Sequence, residues 1–449
     1  MSKGNAMAAR WRRIGRLRCS RLSVRIALTI FNSRGRRMKR LLILLVALLL
    51  VSPLVAISRA QKNQPRNILV ITHANLIDGI SNAPIRNATV IVRDDRIESV
   101  ATGNVALPAG ATVLDLKGRW LLPGFIDAHA HLADLGAARR ALASGATTVR
   151  CLGVNHFVDI GFRELNHAGA TDIPDVVAAG YHVRPRPAEE FFVDNPKMKD
   201  LMSGVIGAES VRRLVRAMID RGADVIKIMA TERAGLPDTD PRKRVFTDEE
   251  LAAAVDEARK SGVFVAAHAH GDEGAAAAVR AGVRSIEHGT YLSDQTLAMM
   301  KERGAYLVPT IATVIDLIDP GGDYDNPVLS IRGRAMLPRL RETTAHALKM
   351  GVKIVAGTDT GYGPASSRRI PHEIIELVNI GMTPMDAIKA ATSVSASCIG
   401  VDKRTGSIKA GMEADFIAIE RDPLTEISAI QDVIIVVNNG RIAVNRLGW

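Results

Sequence analysis

A regular alternation of strand-like and helical segments fills residues 119–405 and restricts the fold more than any other feature of the chain. Eight apolar, strand-like runs follow one another: "WLLPGFIDAHAHL", "ATTVRCLG", "PDVVAAGY", "DVIKIMA", "VFVAAHAHG", "SIEHGT", "AYLVPTIA" and "KIVAGTDTG". The helical segments between them end at glycine, which is favoured just past a helix C-terminus because it adopts the left-handed conformation without steric cost. These glycines are Gly145, Gly169, Gly222, Gly262, Gly282, Gly304 and Gly351.

Eight β/α units in series predict an α/β protein with a (β/α)8 TIM barrel over residues 119–405. The segment "FTDEELAAAVDEARKSG" is typical of the helices, with Thr247 as N-cap and Glu250 three residues later. An open, doubly wound sheet is the alternative. That fold would carry a glycine-rich phosphate turn after its first strand, and none follows "WLLPGFIDAHAHL".

The two ends of the chain have a different pattern from the middle. Short alternating runs, "NILVITHANLIDG" and "ATVIVRDDRIESV", precede the barrel segment, and "ADFIAIERDP" and "DVIIVVNNGRIAVN" follow it. Alternation of apolar and polar residues between turn signals predicts β-strands. We therefore expect residues 61–118 and 406–449 to form one small composite β-domain.

The positive charge of the chain is confined to its start. The formal net charge is +12, but residues 1–60 contain 14 Lys and Arg and no Asp or Glu, which leaves 45 basic against 47 acidic residues elsewhere. A charge of this origin does not indicate a nucleic-acid-binding surface, so nucleic acid is excluded as a partner.

Residues 38–60, "MKRLLILLVALLLVSPLVAISRA", are typical of a signal peptide. A basic start is followed by an apolar run, and the small residues Ser58 and Ala60 occupy the positions that a signal peptidase reads. The segment predicts a periplasmic or secreted protein. The alternative is an uncleaved anchor, which would be the only membrane contact. Residues 1–37 are then a basic leader or the product of a mis-assigned start.

Polar residues that can bind metal ions lie at the ends of the predicted strands, where a barrel places its active site. They are His129 and His131 on strand one, Lys227 on strand four, His268 and His270 on strand five, His288 on strand six and Asp359 on strand eight. Residues i and i+2 of a strand share a face, so His129 and His131 converge on one point. Imidazole and carboxylate groups suit zinc and similar divalent ions.

Lys227 is the most informative of these residues. It interrupts the apolar strand "VIKIM", where a buried ammonium group is costly unless it is neutralised or paired. Burial would lower the pKa of the amine and make it nucleophilic. The alternative is a lysine that points outward or pairs with a neighbouring aspartate.

The chain resembles the amidohydrolase superfamily in six segments that occur in order: "LLPGFIDAHAHL", "VIKIMA", "AHAHG", "SIEHGT", "AGTDTG" and "GMTPMDAIKAATSVSASCIGVDKRTGSIKAGMEADFIAI". The resemblance covers about residues 67–446. It is nearest to the imidazolonepropionase-like branch, which includes zinc-dependent Xaa-Pro and Xaa-Arg/Lys dipeptidases and ochratoxin-hydrolysing amidases. It implies a TIM barrel flanked by a composite β-sandwich built from both ends of the chain.

The resemblance also implies two divalent metal ions, zinc or a similar ion, bound by six residues. The implied ligands are His129, His131 and Asp359 for the more buried ion, His268 and His288 for the second ion, and Lys227, carboxylated by CO2, as the bridge. His270 would face the same pocket and hold substrate.

Two metal ions activate the attacking water, so a serine or cysteine nucleophile is not required. Asp359 would act as general base and then as general acid toward the leaving amine, with Lys227 as the second catalytic residue. The expected substrates are small molecules, namely dipeptides or N-acyl amino acids with a free carboxylate. Tyr181, His182 and Arg184, after strand three, are the candidate carboxylate-binding residues together with His270.

Two alternatives stay open for the function. A cyclic amide, as in imidazolonepropionase, or a lactone could be hydrolysed at the same site. The chain could instead be a non-catalytic scaffold, although a scaffold has no reason to retain all six ligands. A homo-oligomer is compatible with either interpretation.

Overall fold

A computed structural model describes residues 67–103 and 105–447 of the chain. The predicted leader and signal peptide lie outside these residues. Eight strands from both ends of the described chain form one mixed sheet, in the order β16-β15-β14-β5-β1-β2-β3 with β4 paired to β1. Their bounds are β1 (Ile68–Leu76), β2 (Ile85–Arg93), β3 (Arg96–Thr102), β4 (Thr112–Asp115), β5 (Trp120–Pro123), β14 (Phe416–Ile419), β15 (Val433–Asn438) and β16 (Arg441–Asn445).

The remaining strands form two parallel sheets, β6-β7-β8 and β9-β10-β11-β12-β13, in which neighbours follow chain order. Their bounds are β6 (Phe125–Ala130), β7 (Ala146–Cys151), β8 (Asp175–Ala178), β9 (Val225–Met229), β10 (Phe264–Gly271), β11 (Ser285–Tyr291), β12 (Tyr306–Val308) and β13 (Lys353–Ile354). Isolated parallel bridges join their edges, Ala130 to Thr360 and Val183 to Ile228. The chain is thus an α/β protein with mixed sheets.

Twelve α-helices of the described residues connect and cover these strands. Their bounds are α1 (Leu135–Ala143), α2 (Val158–His167), α3 (Glu189–Asp194), α4 (Ala208–Asp220), α5 (Asp248–Lys260), α6 (Asp272–Ala281), α7 (Asp294–Arg303), α8 (Ile311–Asp316), α9 (Pro327–Met350), α10 (Ile370–Asn379), α11 (Pro384–Ala390) and α12 (Ser393–Ile399). Three short 3-10 helices span Asn155–Phe157, Pro196–Leu201 and Ile427–Gln431. In the described part of the chain, no helix has the length and apolar character needed to cross a membrane.

Local sequence explains how these helices begin and pack. Helix α5 begins with the predicted capping box: the Thr247 side chain accepts from Glu250 N at 3.2 Å, and Glu250 accepts from Thr247 N at 2.8 Å. Helix α4 buries a stripe of apolar residues with helical spacing, and these residues belong to the main apolar core. The stripe consists of Val211, Leu214, Val215 and Met218.

The run "WLLPGFIDAHAHL" is expected to be a single strand but is divided in two. Residues Trp120–Pro123 pair with β1 and β14 in the mixed sheet, and the parallel sheet starts at Phe125. Gly124 lies at the change of sheet, where a Cβ atom would approach Thr147 Oγ1 to 2.1 Å. The close approach of β7 therefore requires glycine, and the second half of the run carries the histidine pair to the carboxyl end of β6.

Candidate metal centre

One cavity at the carboxyl ends of the parallel strands collects all the metal-binding candidates identified in the sequence. Its lining includes His129, His131, Lys227, His268, His270, His288 and Asp359. The side chains come from β6, β9, β10, β11 and the segment after β13. The possible ligand atoms form two groups. Within each group, all the atoms lie within 4.8 Å of one another.

The first group consists of His129, His131 and Asp359. Asp359 Oδ1 lies 2.8 Å from His131 Nε2 and 3.3 Å from His129 Nε2. The other ring nitrogen of His131 is 2.7 Å from the carbonyl oxygen of Gly153. This contact favours a proton on Nδ1, which would leave the Nε2 lone pair for a metal ion that Asp359 also binds.

The second group consists of His268, His270 and His288. The rings of His270 and His288 are stacked, with centroids 4.4 Å apart, and the His268 and His288 centroids are also 4.4 Å apart. Each ring has one nitrogen within reach of an oxygen outside the group, so the other can face it. These contacts are His270 Nδ1 to Thr290 Oγ1 at 2.9 Å, His288 Nδ1 to Thr310 Oγ1 at 2.7 Å and His268 Nε2 to Glu232 O at 3.1 Å.

Lys227 is buried and lines the same cavity as both groups. Its Nζ atom is 3.3 Å from His129 Nε2. Burial lowers the pKa of Lys227 to about 8, against the opposing effect of the nearby carboxylates Glu287 and Asp359. A substantial fraction of the amine is therefore neutral near pH 8 and able to react as a nucleophile.

The charge states of the side chains suit metal ligation. Burial lowers the pKa values of His129, His268 and His288 far below their usual range, and the neighbouring Lys227 acts in the same direction. Burial alone would raise the pKa of Asp359, but the neighbouring His129, His131 and Lys227 hold it below its usual value. Neutral imidazoles and an ionised carboxylate are the donors that zinc and similar ions bind.

A buried ion pair lies directly beneath His129. Arg150 Nη2 donates to Glu287 Oε1 at 3.0 Å, and these side chains are 1% and 0% exposed. Arg150 also donates to Ser285 Oγ at 3.1 Å and to Ala128 O at 2.6 Å. Glu287 Oε2 lies 2.9 Å from His129 Nδ1, although neither atom completes a well-directed hydrogen bond. The carboxylate is thus placed to hold a proton on Nδ1 and leave Nε2 free for a metal, so the donor set fits a divalent ion.

Asp127 connects the histidine pair to the loop that carries Asp359. Its carboxylate accepts from Thr358 N at 2.9 Å, Thr358 Oγ1 at 2.6 Å, Tyr362 Oη at 2.7 Å and His129 N at 3.1 Å. Burial raises the pKa of Asp127 to about 6, although these donors oppose the shift. The carboxylate fixes the end of β6 against the segment after β13.

The structure does not bring all the predicted substrate-binding residues to the cavity. His182 lines it, with its ring centroid 5.8 Å from that of His131. Arg184 lines an adjoining groove. Tyr181 lines neither: its ring packs against Phe157 and Phe191, and its hydroxyl donates to Asp194 at 2.6 Å.

Several cavity residues are not identified by sequence reasoning. They are Met229, Arg233, Ala234, Gly235, Thr313, Val314, Leu317 and Tyr324. Tyr324 belongs to the segment "PGGDYDNP" after the seventh parallel strand, where loop position alone indicates a wall of the pocket. Arg233 follows "VIKIMA" and has no motif that distinguishes it from a surface arginine.

Comparisons with known proteins agree with this geometry. The sequence profile of the amidohydrolase family matches residues 120–443. The chain is 29% identical over 406 residues to ochratoxinase from Aspergillus niger, with 81% of this chain and 84% of the relative covered.

Solved structures give the same result. A Xaa-Pro dipeptidase with bound methionine in the active site superposes with a TM-score of 0.75 at 28% identity, covering 84% of this chain and 99% of the other. The A. niger ochratoxinase structure superposes with a TM-score of 0.72 at 27% identity, covering 85% and 97%. The prediction of an enzyme that hydrolyses carbon–nitrogen amide bonds is thereby confirmed, and the chain belongs to the amidohydrolase family.

Proposed function

We propose that the chain is a binuclear metal-dependent amidohydrolase that cleaves dipeptides or N-acyl amino acids with a free carboxylate. The observation that carries the proposal is the presence of two three-residue groups, each able to hold a metal ion, in one cavity that Lys227 also lines. Two carboxylate or imidazole clusters at such close range are the usual arrangement of two-metal hydrolases.

The parallel strands would form one closed (β/α)8 barrel beneath this centre. Support comes from the bridges at both edges of the two parallel sheets, Ala130 to Thr360 and Val183 to Ile228. Backbone bonds extend them, since Ala128 N donates to Ala356 O and Met229 N donates to Val183 O, both at 3.0 Å. The strands of the two chain ends would form the composite β-sandwich beside the barrel.

Zinc is the ion that we propose for both positions. His129, His131 and Asp359 would hold the first ion, and His268 and His288 the second. The neutral amine of Lys227 would react with CO2 to give a carbamate with release of a proton, which provides an anionic bridge. When bound, the two ions polarise the scissile carbonyl and make a water acidic enough to attack at neutral pH.

The side chains of this chain then move the protons. Asp359 Oδ1 lies between His129 and His131, where an ionised carboxylate can accept a proton from the attacking water. The same oxygen can return the proton to the leaving amine. His182, which lines the cavity, would orient the free α-carboxylate of the substrate. His270 would hold substrate or complete the second group, because its ring stacks on His288.

Two enzymatic alternatives use the same centre, namely hydrolysis of a cyclic amide or of a lactone. A non-catalytic scaffold would not need to keep both ligand groups. Export to the periplasm or the exterior rests on the sequence of residues 38–60 alone.

Metal analysis and a substrate screen test the proposal. The purified protein should contain close to two equivalents of zinc or a similar ion, and Lys227→Ala should lower that content and abolish activity. Lys260→Ala is the matched control, because Lys260 is exposed, is paired with Glu257 and lies outside the cavity. Hydrolysis should be found within a library of dipeptides and N-acyl amino acids. Full metal content without activity on any of these compounds would favour a cyclic amide or a lactone as the substrate. Full metal content and activity in Lys227→Ala would refute the bridging role of Lys227.

A further inference from the structure

A groove beside the metal-binding cavity carries a large excess of positive charge. Its charged lining residues are Arg184, Arg186, Glu232, Arg233, Lys243 and Arg244. Five of the six are basic. The other lining residues are apolar or neutral. The positive charges can therefore be compensated only by Glu232 or by acidic residues outside the groove.

Two of the five basic residues are compensated by the chain itself. Lys243 Nζ is 2.9 Å from Glu232 Oε1, so the one acidic residue that lines the groove is already paired. Arg244 pairs with Asp248 at 2.5 Å and lies 3.5 Å from Glu273.

The other three, Arg184, Arg186 and Arg233, form no side-chain hydrogen bond or ion pair with any residue in the ranges 67–103 and 105–447. Arg184 and Arg233 are both half-buried. Burial and the charge of Arg233 lower the pKa of Arg184, and Glu190 opposes this only in part. A guanidinium remains charged under all ordinary conditions. Loss of a proton therefore cannot relieve the cost of desolvating Arg184 and Arg233 or the repulsion between them. An anion placed between them would relieve both.

The groove adjoins the metal-binding cavity at Met229 and Arg233, which line both. Arg233 also lines the wider opening bounded by His131, His182 and Tyr324. A ligand that reaches the groove can therefore belong to the same molecule whose amide bond lies at the metal ligands. One α-carboxylate would compensate only one of the three unpaired charges.

We propose that the groove is a subsite for a second carboxylate of the substrate, so that the preferred substrates carry two carboxylates, as aminoacyl and N-acyl derivatives of glutamate or aspartate do. The inference rests on the proposed function, which supplies the amide bond and the first carboxylate. Arg184 and Arg233 are the residues that bind the additional carboxylate, and Arg186 adds positive charge at the exposed edge.

A pair of isosteric substrates tests the subsite. The full-length protein should hydrolyse alanyl-glutamate with a kcat/KM at least about tenfold above that for alanyl-glutamine, because a charge-assisted contact exists only with the glutamate. Arg184→Gln should reduce this ratio toward one, because kcat/KM should fall much further for alanyl-glutamate than for alanyl-glutamine. Arg242→Gln is the matched control: Arg242 is exposed, already pairs with Asp240 at 3.0 Å and lies outside the groove, so the ratio should persist.

Equal kcat/KM values for the two dipeptides, or a glutamate preference that survives in the Arg184→Gln, Arg233→Gln double variant, would overturn the subsite. Binding of free glutamate and glutamine, measured by calorimetry, separates this failure from that of the proposed function. Glutamate binding that is lost in Arg184→Gln, without hydrolysis of any dipeptide, would retain the subsite and refute the activity. Hydrolysis without preference and without selective glutamate binding would retain the activity and refute the subsite.

Discussion

Replacement of Glu287 by glutamine tests whether the buried ion pair beneath His129 organises the metal centre. Glu287→Gln keeps the shape of the side chain but removes the charge that faces both Arg150, at 3.0 Å, and His129 Nδ1, at 2.9 Å. The neutral amide can no longer compensate the Arg150 guanidinium, and it no longer favours a proton on Nδ1. Both stability and metal affinity should therefore fall.

The structure sets the size of each effect. Arg150 and Glu287 are 1% and 0% exposed, and removal of one partner from a buried pair costs about 3–5 kcal/mol. The amide oxygen can still accept from Arg150, so we expect a loss of about 3 kcal/mol in the free energy of unfolding. Loss of the carboxylate behind a metal-binding histidine lowers metal affinity by about 10–100-fold. Glu98→Gln removes an exposed pair with Arg93 and should cost less than about 1 kcal/mol.

Two measurements separate the effects. Urea denaturation of the chelator-treated protein gives the stability, and competition with a chromophoric chelator gives the zinc affinity. The double variant Arg150→Met, Glu287→Gln should recover much of the stability because no unpaired charge remains, but it should not recover zinc affinity. Zinc affinity equal to that of the wild type in a folded Glu287→Gln protein would refute the orienting role of this carboxylate.

Three further outcomes follow from single contacts. Tyr324→Phe should raise KM several-fold, because Tyr324 lines the cavity. Tyr181→Phe should leave KM unchanged and cost only about 1 kcal/mol of stability, because the Tyr181 hydroxyl donates to Asp194 away from the cavity. Steady-state kinetics compares the two variants, and the opposite order would be inconsistent with the placement of these rings. Burial raises the pKa of Asp415 to about 7, so the folded state retains a proton that the unfolded state loses near pH 4. The free energy of unfolding should therefore fall as the pH rises from about 4 to 7. Urea titrations at a series of pH values should show that Asp415→Asn flattens this slope. Gly124→Ala should lower the free energy of unfolding by about 1–3 kcal/mol because its Cβ would meet Thr147, and a thermal midpoint equal to that of the wild type would contradict the tight approach of β7.

The sequence was sufficient to predict which residues gather in the cavity, for a chemical reason. Metal ligation restricts the residue types to imidazole and carboxylate, and strand ends restrict where they occur, so His129, His268 and Asp359 could be identified without a structure. The contacts of arginine and tyrosine are less restricted. Tyr181 follows β8 as closely as His182 does, yet its ring fits between two phenylalanines and only His182 faces the cavity.

Glu287 could not be identified beside His288, because adjacent residues of a regular strand face opposite sides. In a regular strand, Ser285 and Glu287 share the inner face and His288 points away from it. The φ angle of His288 is +77°, a left-handed conformation near the end of β11. It lets adjacent residues reach the same centre: Glu287 lies beside His129, and His288 belongs to the second ligand group. Asp359 also has a positive φ, of +55°. Such conformations cost of order 1–3 kcal/mol at residues other than glycine and persist only where the surroundings enforce them. No sequence pattern predicts them at these two positions, because histidine and aspartate adopt positive φ more often than most residues but still only in a minority of cases. Their occurrence at one ligand of each group indicates that the backbone strain serves to aim these side chains into the cavity, so the centre is held together at the expense of local stability.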